Sequence, residues 1–122
     1  MKIQNIINEF MKDFTLKIHI KDLIFIKDSE FKYIYWNSEY EDFLSQNFSI
    51  KHEQIKNKTD FDLYPLEIAK KCRESDLETK EKSYFIGSEF INSKEYILVK
   101  LKLKESDNPK GGILTIAKYI TN

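Results

Sequence analysis

The chain opens with Ile3, Ile6, Ile7, Phe10, Met11 and Phe14 at three- and four-residue intervals, separated by Gln4, Asn5, Asn8, Glu9, Lys12 and Asp13. That period predicts an amphipathic helix over residues 1–15 with one apolar stripe. The stripe either packs on its own domain or meets a partner helix or a second copy of the chain. The pattern then changes. Leu23 to Lys27 is a short β-branched run, and Tyr33-Ile34-Tyr35-Trp36 follows after a turn-length gap, which predicts a hairpin. Asn37 precedes Glu39, Tyr40, Phe43 and Leu44, so its side chain is placed to cap the first free N–H groups of a short helix.

Gln46 to Lys58 is polar with scattered Phe48, Ile50 and Ile55, and predicts a loop with one helical turn at most. Thr59-Asp60-Phe61-Asp62 has capping-box spacing, with Pro65 close to the start of the helix that follows. Leu66, Ile68, Ala69, Cys72 and Leu77 are its expected buried side. From Tyr84-Phe85-Ile86 onward the period becomes two. Ile97, Val99, Leu101 and Leu103 are expected on a buried face, with Lys100, Lys102 and Lys104 on a wet one. Asn108-Pro109-Lys110-Gly111-Gly112 is a turn cluster before a last strand over 113–120. The order predicts an α+β domain around an antiparallel sheet of about five strands, the usual size.

Composition narrows the partners. A chain of 122 residues holds one core, here expected over 16–122. Twenty basic and twenty acidic residues cancel, leaving no basic excess for nucleic acid or anionic lipid. The lysines read as a solvated coat. Cys72 is the only cysteine, so no internal disulfide forms and a reducing, cytoplasmic setting is expected. No apolar run reaches membrane-spanning length, and no membrane contact is expected.

The inventory of reactive groups argues against an enzyme. His19 and His52 have no recognisable nucleophile or acid beside them. Gly111-Gly112 lacks the lysine and hydroxyl of a phosphate loop. No carboxylate pair is marked out by an apolar setting, and two distant histidines with one cysteine do not make a metal site. No catalytic residue and no metal ligand is therefore assigned.

Four stretches carry a family resemblance: Leu23 to Asp28, Tyr35 to Tyr40, Lys58 to Pro65 and Gly112 to Thr121. In order and spacing they resemble the PAS domain family over nearly the whole chain. The resemblance implies a five-stranded antiparallel sheet with short helices on one face, preceded by an amphipathic helix. It also implies a sensory or regulatory role as the input module of a histidine kinase, cyclase or transcription regulator, with a homodimer formed through Ile3, Ile7, Phe10 and Phe14. An output domain following this segment is part of that expectation, as is signal transduction of the two-component kind. The chain departs from the family in lacking the glycine common in the first hairpin turn, where it reads Asp28-Ser29-Glu30-Phe31-Lys32.

Aligned on Lys58-Thr59, the position of the flavin photosensors' reactive cysteine is Asp60, which excludes the covalent adduct. No histidine lies between Pro65 and Lys80 to hold haem. Non-covalent flavin, a small organic ligand or no ligand remain. The expected pocket is walled by Ile34, Trp36, Tyr40, Phe43, Cys72, Ile86, Val99, Leu101 and Thr115, unless these side chains simply fill the core. The alternative function is a ligand-free module for protein–protein interaction.

Overall fold

A computed structural model describes residues 21–107 and 109–120. The expected N-terminal helix, with Ile3, Ile7, Phe10 and Phe14, lies outside the described residues. Strands β1 (Leu23–Lys27) and β2 (Tyr33–Trp36) form the first hairpin. Helix α1 (Ser38–Phe48), a 3-10 turn (His52–Gln54), α2 (Asp60–Leu63) and α3 (Leu66–Lys82) lead to β3 (Tyr84–Ile91), β4 (Lys94–Lys102) and β5 (Ile113–Tyr119). The sheet has five antiparallel strands in the order β2-β1-β5-β4-β3.

Local chemistry sets the joints. The Asn37 carboxamide oxygen accepts from Tyr40 N at 3.0 Å and Ile24 N at 3.2 Å, and its Nδ2 donates to Asp22 O at 2.8 Å. One side chain thus caps α1 and ties it to β1. The Asp62 carboxylate accepts from Thr59 N at 2.9 Å, the reciprocal half of the predicted box. Asn92 and Ser93, with φ of 51° and 66°, make the two-residue β3–β4 turn in the primed geometry that matches strand twist. In the β1–β2 turn Phe31 adopts φ 65° without the freedom of glycine. Its ring lies 4.1 Å from the Arg73 guanidinium and 4.3 Å from the Lys80 ammonium, contacts that offset the strain. At Gly112 a Cβ would stand 2.5 Å from Lys27 O, so β5 enters beside β1 only with glycine there.

Two apolar layers flank the sheet. Leu23, Phe25, Tyr96, Leu98 and Ala117 pack with Tyr40, Phe43, Leu44 and Ala69 of the helices. Ile24, Ile26, Val99, Leu103, Leu114 and Ile116 form a second buried cluster on the opposite face, which contains no residue of α1, α2 or α3. Segment 55–58 runs along the free edge of β2, where Tyr33 N donates to Lys58 O and Asn57 N to Tyr33 O at 2.9 and 2.8 Å. That tether brings Asp60 over the inner face of the sheet. No helix among the described residues is long and apolar enough to cross a membrane.

Because Asn37 serves three backbone groups, Asn37→Ala is expected to cost about 2 kcal/mol or more, beyond the ~1 kcal/mol of an ordinary cap. Asn37→Asp keeps the acceptor and should fall between the two. Urea denaturation checks this; equal midpoints for wild type and Asn37→Ala would contradict it.

Candidate functional site

Four charged side chains are buried together between the inner sheet face and the helices. Lys27 of β1 and Lys100 of β4 are each 1% exposed, and Asp60 of α2 and Asp76 of α3 are 2% and 0% exposed. This corrects the reading of the lysines as a solvated coat and of the carboxylates as unremarkable. Lys100 points inward with Tyr96 and Leu98, whereas Val99 and Leu101 face the other way. Helix α3 also differs from expectation. Leu66 and Leu77 are exposed at 59% and 52%, and the buried side is largely polar, with Ala69 beside Ser75, Asp76 and Thr79.

Asp76 bridges both lysines: Oδ2 accepts from Lys27 Nζ at 2.7 Å and Oδ1 from Lys100 Nζ at 2.5 Å. Lys27 Nζ also donates to Asp60 Oδ2. Lys100 Nζ donates to Ser75 Oγ at 2.7 Å and lies 3.5 Å from Cys72 O, so its three protons all have acceptors. Asp60 Oδ1 accepts from Tyr33 OH at 2.5 Å, and Tyr40 OH donates to Tyr33 OH at 2.8 Å. A hydroxyl has one proton to give, so Tyr64 OH must donate to Tyr40 OH. The bonds therefore run in one direction from Tyr64 through Tyr40 and Tyr33 to Asp60, and the four formal charges sum to zero.

Burial pushes the Asp76 carboxyl up, but the two ammonium groups outweigh it and hold it below the usual carboxylate range. Burial pulls Lys27 down, yet Asp60 and Asp76 carry it above the usual lysine value. Burial raises Tyr33, Tyr40 and Tyr64, with the Asp60 charge adding to each. Burial, then Asp60, pushes the Cys72 thiol up to about 12, which leaves it protonated and unreactive near neutrality.

Beside the network lies an enclosed space of about 30 Å³, lined by six aromatic rings and by Cys72, Glu89, Lys100 and Thr115. Of the residues expected on a pocket wall, Tyr40, Phe43, Cys72 and Thr115 line it. Trp36 packs against the same inner cluster without lining it, its ring 5.6 Å from that of His52. Ile34, Val99 and Leu101 belong with the opposite cluster, and Ile86, the strand partner of Val99, is 50% exposed. The parity differs from expectation because Lys100 faces inward, which turns its neighbours Val99 and Leu101 outward. The signal available was Tyr96-Ile97-Leu98-Val99, an unbroken apolar run that marks a strand covered on both faces. The space is too small for a haem or flavin ring system, and Asp60 is engaged by Lys27 and Tyr33. Among the described residues no His, Cys, Asp and Glu group is placed to hold a metal ion.

Removing Asp76 leaves two buried ammonium groups short of a partner, so Asp76→Ala is expected to cost about 3–5 kcal/mol, read by urea denaturation. A loss under about 1 kcal/mol would contradict this. Asp76 is depressed in the fold, so its contribution is present above the ordinary carboxylate pKa and is lost as pH falls through the folded value. Lys27 is raised, so its contribution holds below the ordinary lysine pKa and is lost above it. Stability should therefore fall below about pH 4 and above about pH 10.

No family sequence model matches the chain, and no curated protein does. Solved structures do. A sensory box sensor histidine kinase from Vibrio cholerae is 13% identical over 99% of this chain and 94% of its own, with a TM-score of 0.67. The PAS domain of Bordetella pertussis BvgS is 15% identical over 94% and 88%, with a TM-score of 0.66. The Aer2 receptor from Vibrio cholerae, a dual PAS-heme oxygen sensor, is 15% identical over 82% and 95%, with a TM-score of 0.58. Such identities speak for the fold, and together with the sheet order and the helices on one face they settle it: the chain folds as a PAS domain.

Proposed function

We propose that the chain is the sensory or regulatory module of a signalling protein, which transmits a change in the packing of its inner face to a partner subunit or an output domain. The observation that carries this is the buried Lys27–Asp60–Asp76–Lys100 network. It links two strands to two helices through groups that tolerate only fully paired arrangements, so a shift of one helix changes the pairing of all. The resemblance to sensor domains of kinases and receptors agrees with this role. In this reading Ile3, Ile7, Phe10 and Phe14 form a homodimer contact, and the output is a histidine kinase, cyclase or transcription regulator, in the cytoplasm.

A second reading, a ligand-free interaction module, is favoured by the size of the inner space, about 30 Å³. Native mass spectrometry with a visible absorption scan of freshly purified protein separates the two. A retained small molecule supports sensing by ligand; a bare polypeptide mass, together with no saturable response to added small molecules, supports the interaction module. For the dimer contact, Ile7→Asp with Phe10→Asp should lower the molar mass found by sedimentation at micromolar concentration. An unchanged mass would contradict it.

A further inference from the structure

Two buried polar atoms on the wall of the inner space have no partner: Thr115 Oγ1 and Glu89 Oε1, on residues 0% and 9% exposed. Such atoms are costly to bury unless something meets them. Glu89 also lines a groove between α3 and β3, together with Lys71, Glu74, Ser75, Glu78 and Phe85. Three carboxylates against one lysine make that groove acidic, and Glu89 is shared between it and the inner space. Glu89 thus stands between the groove and the inner space.

The remaining walls are largely aromatic, with Lys100 already paired to Asp76. Phe25, Tyr33, Tyr40, Phe43, Tyr64 and Tyr96 present aromatic surface to the space, which favours a cation over an anion. An anion finds no free donor on the one lysine that lines the space, since Lys100 directs its three protons to Asp76, Ser75 and Cys72 O. Tyr64 OH spends its proton on Tyr40 and keeps a lone pair. Glu89 Oε1 and Thr115 Oγ1 are unpartnered acceptors on residues that line the same space as Tyr64. Burial raises the Glu89 carboxyl above its ordinary value, a direction that a neighbouring cation reverses.

We infer that this space is the binding site for a small primary ammonium compound, with Glu89 as its counter-ion and Thr115 as a hydrogen-bond partner, entered from the groove between α3 and β3. The inference rests on the sensory reading and names the class of ligand sensed. A space of about 30 Å³ admits only a few non-hydrogen atoms, which limits the dissociation constant to about millimolar at best.

Methylammonium chloride, titrated into the uniformly ¹⁵N-labelled chain against sodium chloride of equal ionic strength, tests it by amide shifts. The expected result is a saturable shift centred on residues 86–90 and 113–117 that weakens at least about tenfold in Glu89→Gln. Shifts spread over surface carboxylates, shifts that do not saturate, or an unaltered response in Glu89→Gln would overturn it. So would sodium acetate perturbing the same amides where methylammonium does not. The wild-type map decides the matter even if Glu89→Gln fails to fold. A chain that ignores methylammonium but retains another small molecule in native mass spectrometry refutes this inference and leaves the sensory reading standing.

Discussion

Asp76 holds two ammonium groups, one on each carboxylate oxygen, beside a cluster of aliphatic and aromatic side chains. Neither lysine is tolerable there alone, because a buried charge without its partner costs several kcal/mol. With Asp60 the four charges cancel, and the tyrosine chain satisfies the remaining carboxylate oxygen. The positions of the helices over the sheet follow from this requirement. Helix α3 presents a polar side because Asp76 and Ser75 must reach Lys27 and Lys100, and α2 is short because it serves chiefly to deliver Asp60.

A network of this kind specifies an arrangement more than it stabilises one. An apolar layer slides among near-equivalent packings, whereas a fully paired set of charges has few alternatives. That property suits a module whose task is to pass a change at its inner face to what lies beyond the sheet or helices. Glu89 and Thr115 sit beside the network with acceptors unmet, so the inner face is saturated at one end and unsatisfied at the other. The asymmetry gives a bound ligand something to complete without dismantling the core.

Much of the fold was legible in the sequence because its signals are local. The Asn37 cap, the box at Thr59 and the first hairpin each depend on residues within a few positions of one another, and each is present. The site was legible only in part. Tyr40, Phe43, Cys72 and Thr115 do line the inner space, but the charged network pairs residues 33, 49 and 24 positions apart. A lysine in an alternating strand reads as the wet face unless its acidic partner is known, and Asp76 lies on another element. With Lys100 paired to Asp76 inside, alternation puts Val99 and Leu101 on the opposite face. Phe31 divides between the two: its left-handed turn is closed locally by Asp28, which accepts from Glu30 N, Phe31 N and Lys32 N, but its ring is held by Arg73 and Lys80 from α3.

The central claim is that the Lys27 and Lys100 amines are held in hydrogen bonds to buried carboxylates inside the domain. Direct ¹H–¹⁵N spectroscopy of the lysine side chains tests it without perturbing the protein, since an exposed ammonium exchanges its protons too fast to be seen near neutral pH. The account predicts ammonium signals from Lys27 and Lys100 that persist at pH 7 and show couplings to the Asp60 and Asp76 carboxylates. Loss of both signals at pH 7 and 25 °C, with exchange as fast as that of the surface lysines, would contradict it.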